Sequence, residues 1–161
     1  VLDLACGNGV MLPTLSGRFG RVVGVDLHVG AAERLRRARG LQNVSIVLSD
    51  AMHLPFRECS FPFILALSAL EHFKDLDFLV QEIHRVLAPG GYFLFLCPTE
   101  SLFYRMGRTV LGYRKPEDHY HTADEVQAIL RRHLIPEREG RYPSWAPMSL
   151  AVYRMGRFRR Y

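Results

Sequence analysis

Lysine is almost missing from this chain of 161 residues: Lys74 and Lys115 are the only two, and arginine carries nearly all of the basic charge. The net charge of +5 suits an anionic partner such as a nucleic acid or a lipid head group. Solvated arginine-rich faces account for it equally well and are the preferred reading. The one local excess is Arg154, Arg157, Arg159 and Arg160. Cysteine is scarce too. Cys6, Cys59 and Cys97 are odd in number, form no C-x-x-C pair and show no metal-ligand spacing. That excludes a disulfide framework and fits a reduced, cytoplasmic protein. Cys6 and Cys97 read as small packing residues rather than nucleophiles. No window approaches the roughly 18 uninterrupted apolar residues of a membrane span. The opening lacks the basic-then-apolar order of a secretory leader. Hydrophobic content of 48% and charged content of 23% fit one globular domain over residues 1–161.

What is present is concentrated at the start. Val1-Leu2-Asp3-Leu4 reads as a buried strand, Ala5-Cys6-Gly7-Asn8-Gly9 as a small-residue turn, and Val10-Met11-Leu12 as a helix opening. A strand, a glycine turn and a helix N-terminus together make a cofactor cradle, because backbone can approach a ligand closely and free N–H groups face it. The strand Arg21–Asp26 follows and ends in a carboxylate, about 20 residues past the glycines, where ribose hydroxyls are held. A dinucleotide fingerprint would need glycines at positions 5 and 10, which here are Ala5 and Val10. This argues against a nicotinamide oxidoreductase.

Strand and helix signals alternate for the first hundred residues, as in a parallel α/β sheet. The pattern predicts strands at 1–5, 21–26, 44–48, 61–67 and 92–96, and helices at 9–17, 31–38 and 76–87. Pro62 stands at the start of the fourth strand, where a missing N–H is tolerable. Asp75 caps the third helix and Pro89-Gly90-Gly91 ends it. Residues 98–121 read as a polar, aromatic-rich loop with one short helix at 100–111. Thr122-Ala123-Asp124-Glu125 is a capping-box start for a helix over 123–133. A strand is expected near 137–142, and Met148–Met155 reads as a last strand or a short amphipathic helix.

The Asp3–Gly9 segment, with Asp26 after it, resembles the first motif of the class I S-adenosylmethionine-dependent methyltransferases. The likeness is greatest to the small-molecule group that includes the ubiquinone and menaquinone biosynthesis enzymes. Arg85-Val86-Leu87-Ala88-Pro89-Gly90-Gly91 matches that family's helix–Pro-Gly-Gly–strand junction. The resemblance implies a Rossmann-like, doubly wound, mostly parallel sheet with helices on both faces and an antiparallel strand pair near the C-terminus. It also implies one or two helices ahead of the first motif, so the chain is expected to lack upstream residues.

The cofactor implied is S-adenosyl-L-methionine. Asp3, with Ala5, Cys6, Gly7 and Gly9, would hold its amino-acid end, Asp3 accepting hydrogen bonds from turn amides or, through water, from the ammonium. Asp26 would take both ribose hydroxyls, with Leu27 beside the adenine. Asp50, Ala51 and Met52 would meet the adenine edge and face. A backbone carbonyl at Leu67 or Ser68 would lie near the sulfonium. Each of the three carboxylates also suits a plain cap or turn role. His72, in Leu70-Glu71-His72-Phe73, matches the family's Glu-His segment; it serves either as a general base or as a structural group ordering the loop.

The family's aspartate after the aromatic residue at the start of the fourth strand is replaced by Pro62. His53, His119, Tyr120 and His121 are further pocket candidates, but their spacing matches no zinc pattern, so no metal is expected. The Asn/Asp-Pro-Pro-aromatic motif of DNA amino-methyltransferases and the Pro-Cys of RNA cytosine-carbon enzymes are both absent after the fourth strand. Both absences favour a small-molecule acceptor over nucleic acid. Phe103, Tyr104, Tyr113, Tyr142 and Trp145 either line an apolar acceptor pocket or pack ordinarily. The competing reading is a methyltransferase-like binding subunit without turnover.

Overall fold

The computed structural model describes residues 1–99, 119–147 and 150–161. The predicted short helix at 100–111, Phe103, Tyr104, Tyr113 and Met148 lie outside the described residues. The order of elements is β1 (Leu2–Leu4), α1 (Leu12–Ser16), β2 (Val22–Asp26), α2 (Gly30–Ala38), β3 (Val44–Leu48), β4 (Phe61–Leu67), a 3-10 turn (Leu70–His72), α3 (Leu76–Val86), β5 (Leu87–Pro98), α4 (Ala123–His133), β6 (Ile135–Tyr142) and β7 (Tyr153–Arg159).

The strands form one seven-stranded sheet in the order β3-β2-β1-β4-β5-β7-β6. All pairs from β3 to β5 are parallel, and β7 runs antiparallel to both β5 and β6. This is the doubly wound sheet with an antiparallel C-terminal pair that the sequence led us to expect. Its central strands are apolar runs because both faces are covered. The period of two sorts their side chains. Ile64 and Ala66 of β4, with Val23 and Val25 of β2, join the core beneath α3 and α4. Leu65 and Val22 point the other way, into the core beneath α1 and α2.

Two of the boundaries that differ from the sequence pattern do so for visible local reasons. The helix predicted over 9–17 starts only at Leu12, because Gly9 sits at φ +76° and its carbonyl accepts the Leu12 N–H at 3.0 Å, closing a turn. Pro89-Gly90-Gly91 is expected to end α3, but the helix already ends at Val86 and β5 starts at Leu87, so the tripeptide lies inside the strand. The register against β4 jumps from Phe61–Leu87 to Phe63–Tyr92, so the tripeptide is a bulge opposite Pro62. Its backbone stays paired through Gly90 N–H to the Arg160 carbonyl at 3.1 Å and Arg160 N–H to the Gly91 carbonyl at 3.0 Å.

The last strand, expected within Met148–Met155, instead runs over Tyr153–Arg159, and its arginines hold it in place. Arg157 and Arg159 reach Glu137 on β6 at 3.0 and 3.4 Å, and Arg154 reaches Asp124 on α4 at 2.5 Å. Arg160 donates to the carbonyls of Arg85 and Leu87.

The capping box at α4 is formed. Thr122 Oγ1 accepts from the Glu125 N–H at 3.3 Å, and Glu125 Oε2 accepts from the Thr122 N–H at 2.8 Å. Thr122→Ala removes the first of these bonds and is expected to lower stability by about 1 kcal/mol. The shift in the midpoint of urea unfolding, at unchanged slope, measures it.

Candidate functional site

The chain runs outward from β1 to β2 and β3, then returns to lay β4 on the other side of β1. Ligands of open α/β sheets bind at such a reversal, beyond the carboxyl ends of the two strands. Both ends carry a non-glycine residue in the left-handed region, Ala5 at φ 53° and Ser68 at φ 50°. Each conformation costs roughly 1–2 kcal/mol for a residue with a Cβ. Such strain collects at functional sites. The Ser68 N–H fixes the end of β4 to β5 through the Leu96 carbonyl at 2.7 Å.

The glycine turn is laced to β2. Cys6 N–H donates to the Val25 carbonyl at 2.9 Å, and Gly9 N–H to the Cys6 carbonyl at 2.8 Å. Asp26 accepts on both oxygens: Gly7 N–H at Oδ2 and His28 N–H at Oδ1, each at 2.8 Å. Each oxygen keeps lone-pair capacity for a further donor. The two glycines serve different ends. A Cβ on Gly9 would come within 2.7 Å of Leu12 Cδ1 and 3.1 Å of Ala32, so Gly9 lets α2 dock. A Cβ on Gly7, at φ +53°, would meet nothing within 4 Å. Gly7 therefore faces open space. Cys6 packs against Gly24, where an added Cβ would stand 3.0 Å from its sulfur. Burial and the nearby Asp3 and Asp26 push the Cys6 thiol up to about 12, so it is no nucleophile.

Asp3 lies in β1 between Gly24 of β2 and Leu65 of β4, on the face opposite Leu2 and Leu4. It is 3% exposed. The expected hydrogen bond from a turn amide to Asp3 is not made, since the Gly7 N–H goes to Asp26 instead. Among the described residues no donor reaches its carboxylate. Burial first, and the Asp26 charge second, raise it to about 7. A buried carboxylate without a donor, beside a second carboxylate, is relieved either by a proton or by a cation.

The ends of β2 and β3 meet at the same rim, where Ser49 N–H donates to the Asp26 carbonyl at 3.2 Å. Asp50 Oδ1 accepts from the Met52 N–H at 2.9 Å and orders the turn that follows. Ala51 is buried and Met52 half-buried, while Leu27 is 59% exposed. Asp26, Leu27, Asp50, Ala51 and Met52 thus form one edge. Leu67 and Ser68, with Asp3 through Gly9, form the other.

Beyond Ser68 the chain winds into the 3-10 turn. Glu71 is 1% exposed and its Oε2 has no hydrogen-bond partner. Burial raises its carboxyl above the usual range. His72 and His119 meet edge to face with ring centroids 4.7 Å apart. The sequence pattern did not anticipate this meeting; its only trace was the pair of histidines just before the α4 capping box. The other candidates go elsewhere. His53 packs edge-on against Phe78 of α3, and His121 contacts the Lys74 carbonyl at 3.2 Å. Tyr142 and Trp145 are exposed rather than enclosed. A cavity of about 630 Å³ opens between β5, β6 and β7, lined by Leu94, Arg138, Arg141 and Arg157 among others. It touches neither the glycine turn nor the end of β4.

Fold and site geometry together define an α/β protein with an open crevice at the β1/β4 reversal. Residues 2–95 match the family described as "Methyltransferase domain", and the chain belongs to that family. It is 40% identical over 96 residues to methyltransferase GfsG of Streptomyces halstedii, covering 56% of this chain and 34% of that protein. It is 37% identical over 122 residues to demethylmenaquinone methyltransferase of Geobacillus stearothermophilus, covering 71% of this chain and 48% of that protein. The chain thus spans less than half the length of these curated relatives. Its fold is also that of the N-methyltransferase NodS from Bradyrhizobium japonicum WM9 in complex with S-adenosyl-L-homocysteine. That likeness has a TM-score of 0.74 at 19% identity, over 99% of this chain and 76% of that one. Among the described residues no helix is long and apolar enough to cross a membrane.

Two stability predictions follow from the site's strain. Ala5→Gly relieves the left-handed backbone but loses a methyl group worth up to about 0.8 kcal/mol against the core. The net gain is expected to be about 0.5–1 kcal/mol, read as a melting temperature about 1–3 °C higher. Asp3 holds its proton more tightly folded, at about 7, than unfolded, at 3.8. Its contribution to stability is therefore full below about pH 4 and is lost as pH rises through 7. Asp3→Asn is expected to melt roughly 5 °C or more above the parent at pH 8, with the gap closing toward pH 4. Melting curves across that range decide it.

Proposed function

We propose that this chain binds S-adenosyl-L-methionine and belongs to an enzyme that moves its methyl group to an O, N or C atom of a small-molecule acceptor. The observation that carries the reading is the pair of carboxylates around the glycine turn. Asp3 offers a buried, donor-free carboxylate to the cofactor's ammonium. Gly7 leaves open volume above the turn for the methionine part. Asp26, already fixed by two backbone amides, turns its remaining lone pairs to the ribose hydroxyls. Leu27 and Met52 flank the adenine, Asp50 and Ala51 meet its edge, and Leu67 and Ser68 border the sulfonium. Residues 1–161 work as one cofactor-binding domain.

The bound cofactor supplies an electrophilic methyl group. The chain's task is to align it with the acceptor and exclude water. His72 stands on the acceptor side, beyond Ser68, where a proton would leave an acceptor hydroxyl. A small-molecule acceptor is favoured over nucleic acid because Arg154, Arg157, Arg159 and Arg160 are all engaged within the fold. Three free cysteines, two of them buried, support a cytoplasmic setting.

Calorimetric titration of the full chain with S-adenosyl-L-homocysteine, with NADH as control, tests the reading. Binding of the homocysteine compound alone is expected. Asp26→Asn keeps one acceptor oxygen for the turn and should weaken binding about 10-fold or more, with Asp26→Ala weaker still. Parent-like affinity in both variants would sink the ribose assignment. A folded chain that binds the compound yet transfers no methyl group to any acceptor would favour the binding-subunit reading.

A further inference from the structure

We propose that Glu71, His72 and His119 form a site for one divalent transition-metal ion with open coordination positions. One ligand atom from each residue lies within 4.8 Å of the others. The centre of a triangle with 4.8 Å sides is about 2.8 Å from each corner, so shifts of under about 1 Å bring every donor to the ~2.0–2.1 Å of a metal bond. Rotation of three side chains supplies that much.

Surface carboxylates near histidines are common, but Glu71 is not one of them. It is 1% exposed, and its Oε2 has no hydrogen-bond partner, although its carboxyl is also hydrogen-bonded to Cys97. An unmatched carboxylate oxygen in the interior is costly, and a bound cation removes the cost. The backbone organises the site as well. The Glu71 carbonyl accepts the Tyr120 N–H at 2.8 Å and the His121 N–H at 3.4 Å. This clamps the segment bearing His119 onto the 3-10 turn bearing Glu71 and His72. The ligands are thus brought together by main-chain bonds before any ion enters.

The donor set selects the ion class. Two imidazoles and one carboxylate suit zinc, iron(II), cobalt or nickel. They are too few oxygens for calcium and too nitrogen-rich for magnesium. Three protein donors leave at least one position open, as at sites where a metal handles a substrate rather than holds a fold together. The cluster follows Ser68 at the carboxyl end of β4, beside the crevice. An acceptor bearing a hydroxyl or enol oxygen would take the open position and release its proton to solvent more readily there, with His72 then serving as a ligand and not as a base. That consequence rests on the methyltransferase reading; the metal site does not.

The test uses the full chain, stripped with a chelator and dialysed. Zn²⁺ is titrated calorimetrically, and Co²⁺ is followed by visible absorption. One equivalent of Zn²⁺ with micromolar or tighter affinity is expected, with Co²⁺ bands that Zn²⁺ bleaches. Glu71→Gln and His119→Ala should each weaken Zn²⁺ binding at least 10-fold, with melting temperature as the fold control. No stoichiometric Zn²⁺ binding, or parent-like affinity in both folded variants, overturns the proposal. S-adenosyl-L-homocysteine is titrated in parallel. If it fails to bind while Zn²⁺ binds and the variants lose it, the metal site stands and the methyltransferase reading falls.

Discussion

The bonds from Gly7 N–H and His28 N–H to the two oxygens of Asp26 couple the end of β1 to the end of β2, and the shape of the crevice follows from them. Without them the turn after Ala5 would be tethered by the Cys6 and Gly9 amides alone. The turn is built from residues that contribute little packing of their own, so its position is set by hydrogen bonds. Gly9 adds a steric condition, since only a residue without a Cβ lets α2 come down at Ala32. The crevice is thus rigid on one wall by packing and on the other by charge-assisted hydrogen bonds.

Several unfavourable features lie around that crevice, though Cys59 and His84 carry others elsewhere. Ala5 and Ser68 occupy left-handed backbone, Asp3 is buried without a donor, and Glu71 is buried with an oxygen unmatched. Each would be relieved by a cheap substitution or by a ligand, and such features gather at functional sites. The two acidic positions also divide the crevice electrostatically. Asp3 and Asp26 place acidic groups side by side at the β1/β2 end. Glu71, flanked by two imidazoles, places one beyond β4. The proposed sulfonium cofactor, with its ammonium group, would take the first end, and the proposed metal ion the second.

Much of the central sheet was legible in the sequence because β1, β2 and β4 are covered on both faces and so read as apolar runs. Asp26 and Asp50 were legible as strand-end carboxylates, and the α4 capping box by its Thr-x-x-Glu spacing. The start of β5 was not, because Pro89-Gly90-Gly91 looks like a break and becomes a bulge only through pairing with Arg160. The left-handed Ala5 left a faint trace, as the position where glycine would have been unstrained. The Glu71–His72–His119 cluster left none in the spacing. Two of its members are neighbours and the third arrives by a separate segment, so only main-chain bonds at the Glu71 carbonyl bring them together.

The C-terminal strands show why charge pattern misleads without a partner strand. The segment Ile135-Pro136-Glu137-Arg138-Glu139-Gly140-Arg141-Tyr142 is exposed almost throughout and has no apolar stripe, and it is β6, the strand expected near 137–142, begun two residues earlier. Its strand character comes from β7, which lies between it and β5 and presents Arg157 and Arg159 to Glu137. Exposed ion pairs of this kind are each worth only about 0–1 kcal/mol. They therefore set register and orientation more than stability, while Phe158, fully buried beside Phe95, anchors β7 to the core. The arginine excess that suggested an anionic partner serves to position an edge. The candidate site, by contrast, is built of carboxylates and histidines at the strand ends rather than of arginines.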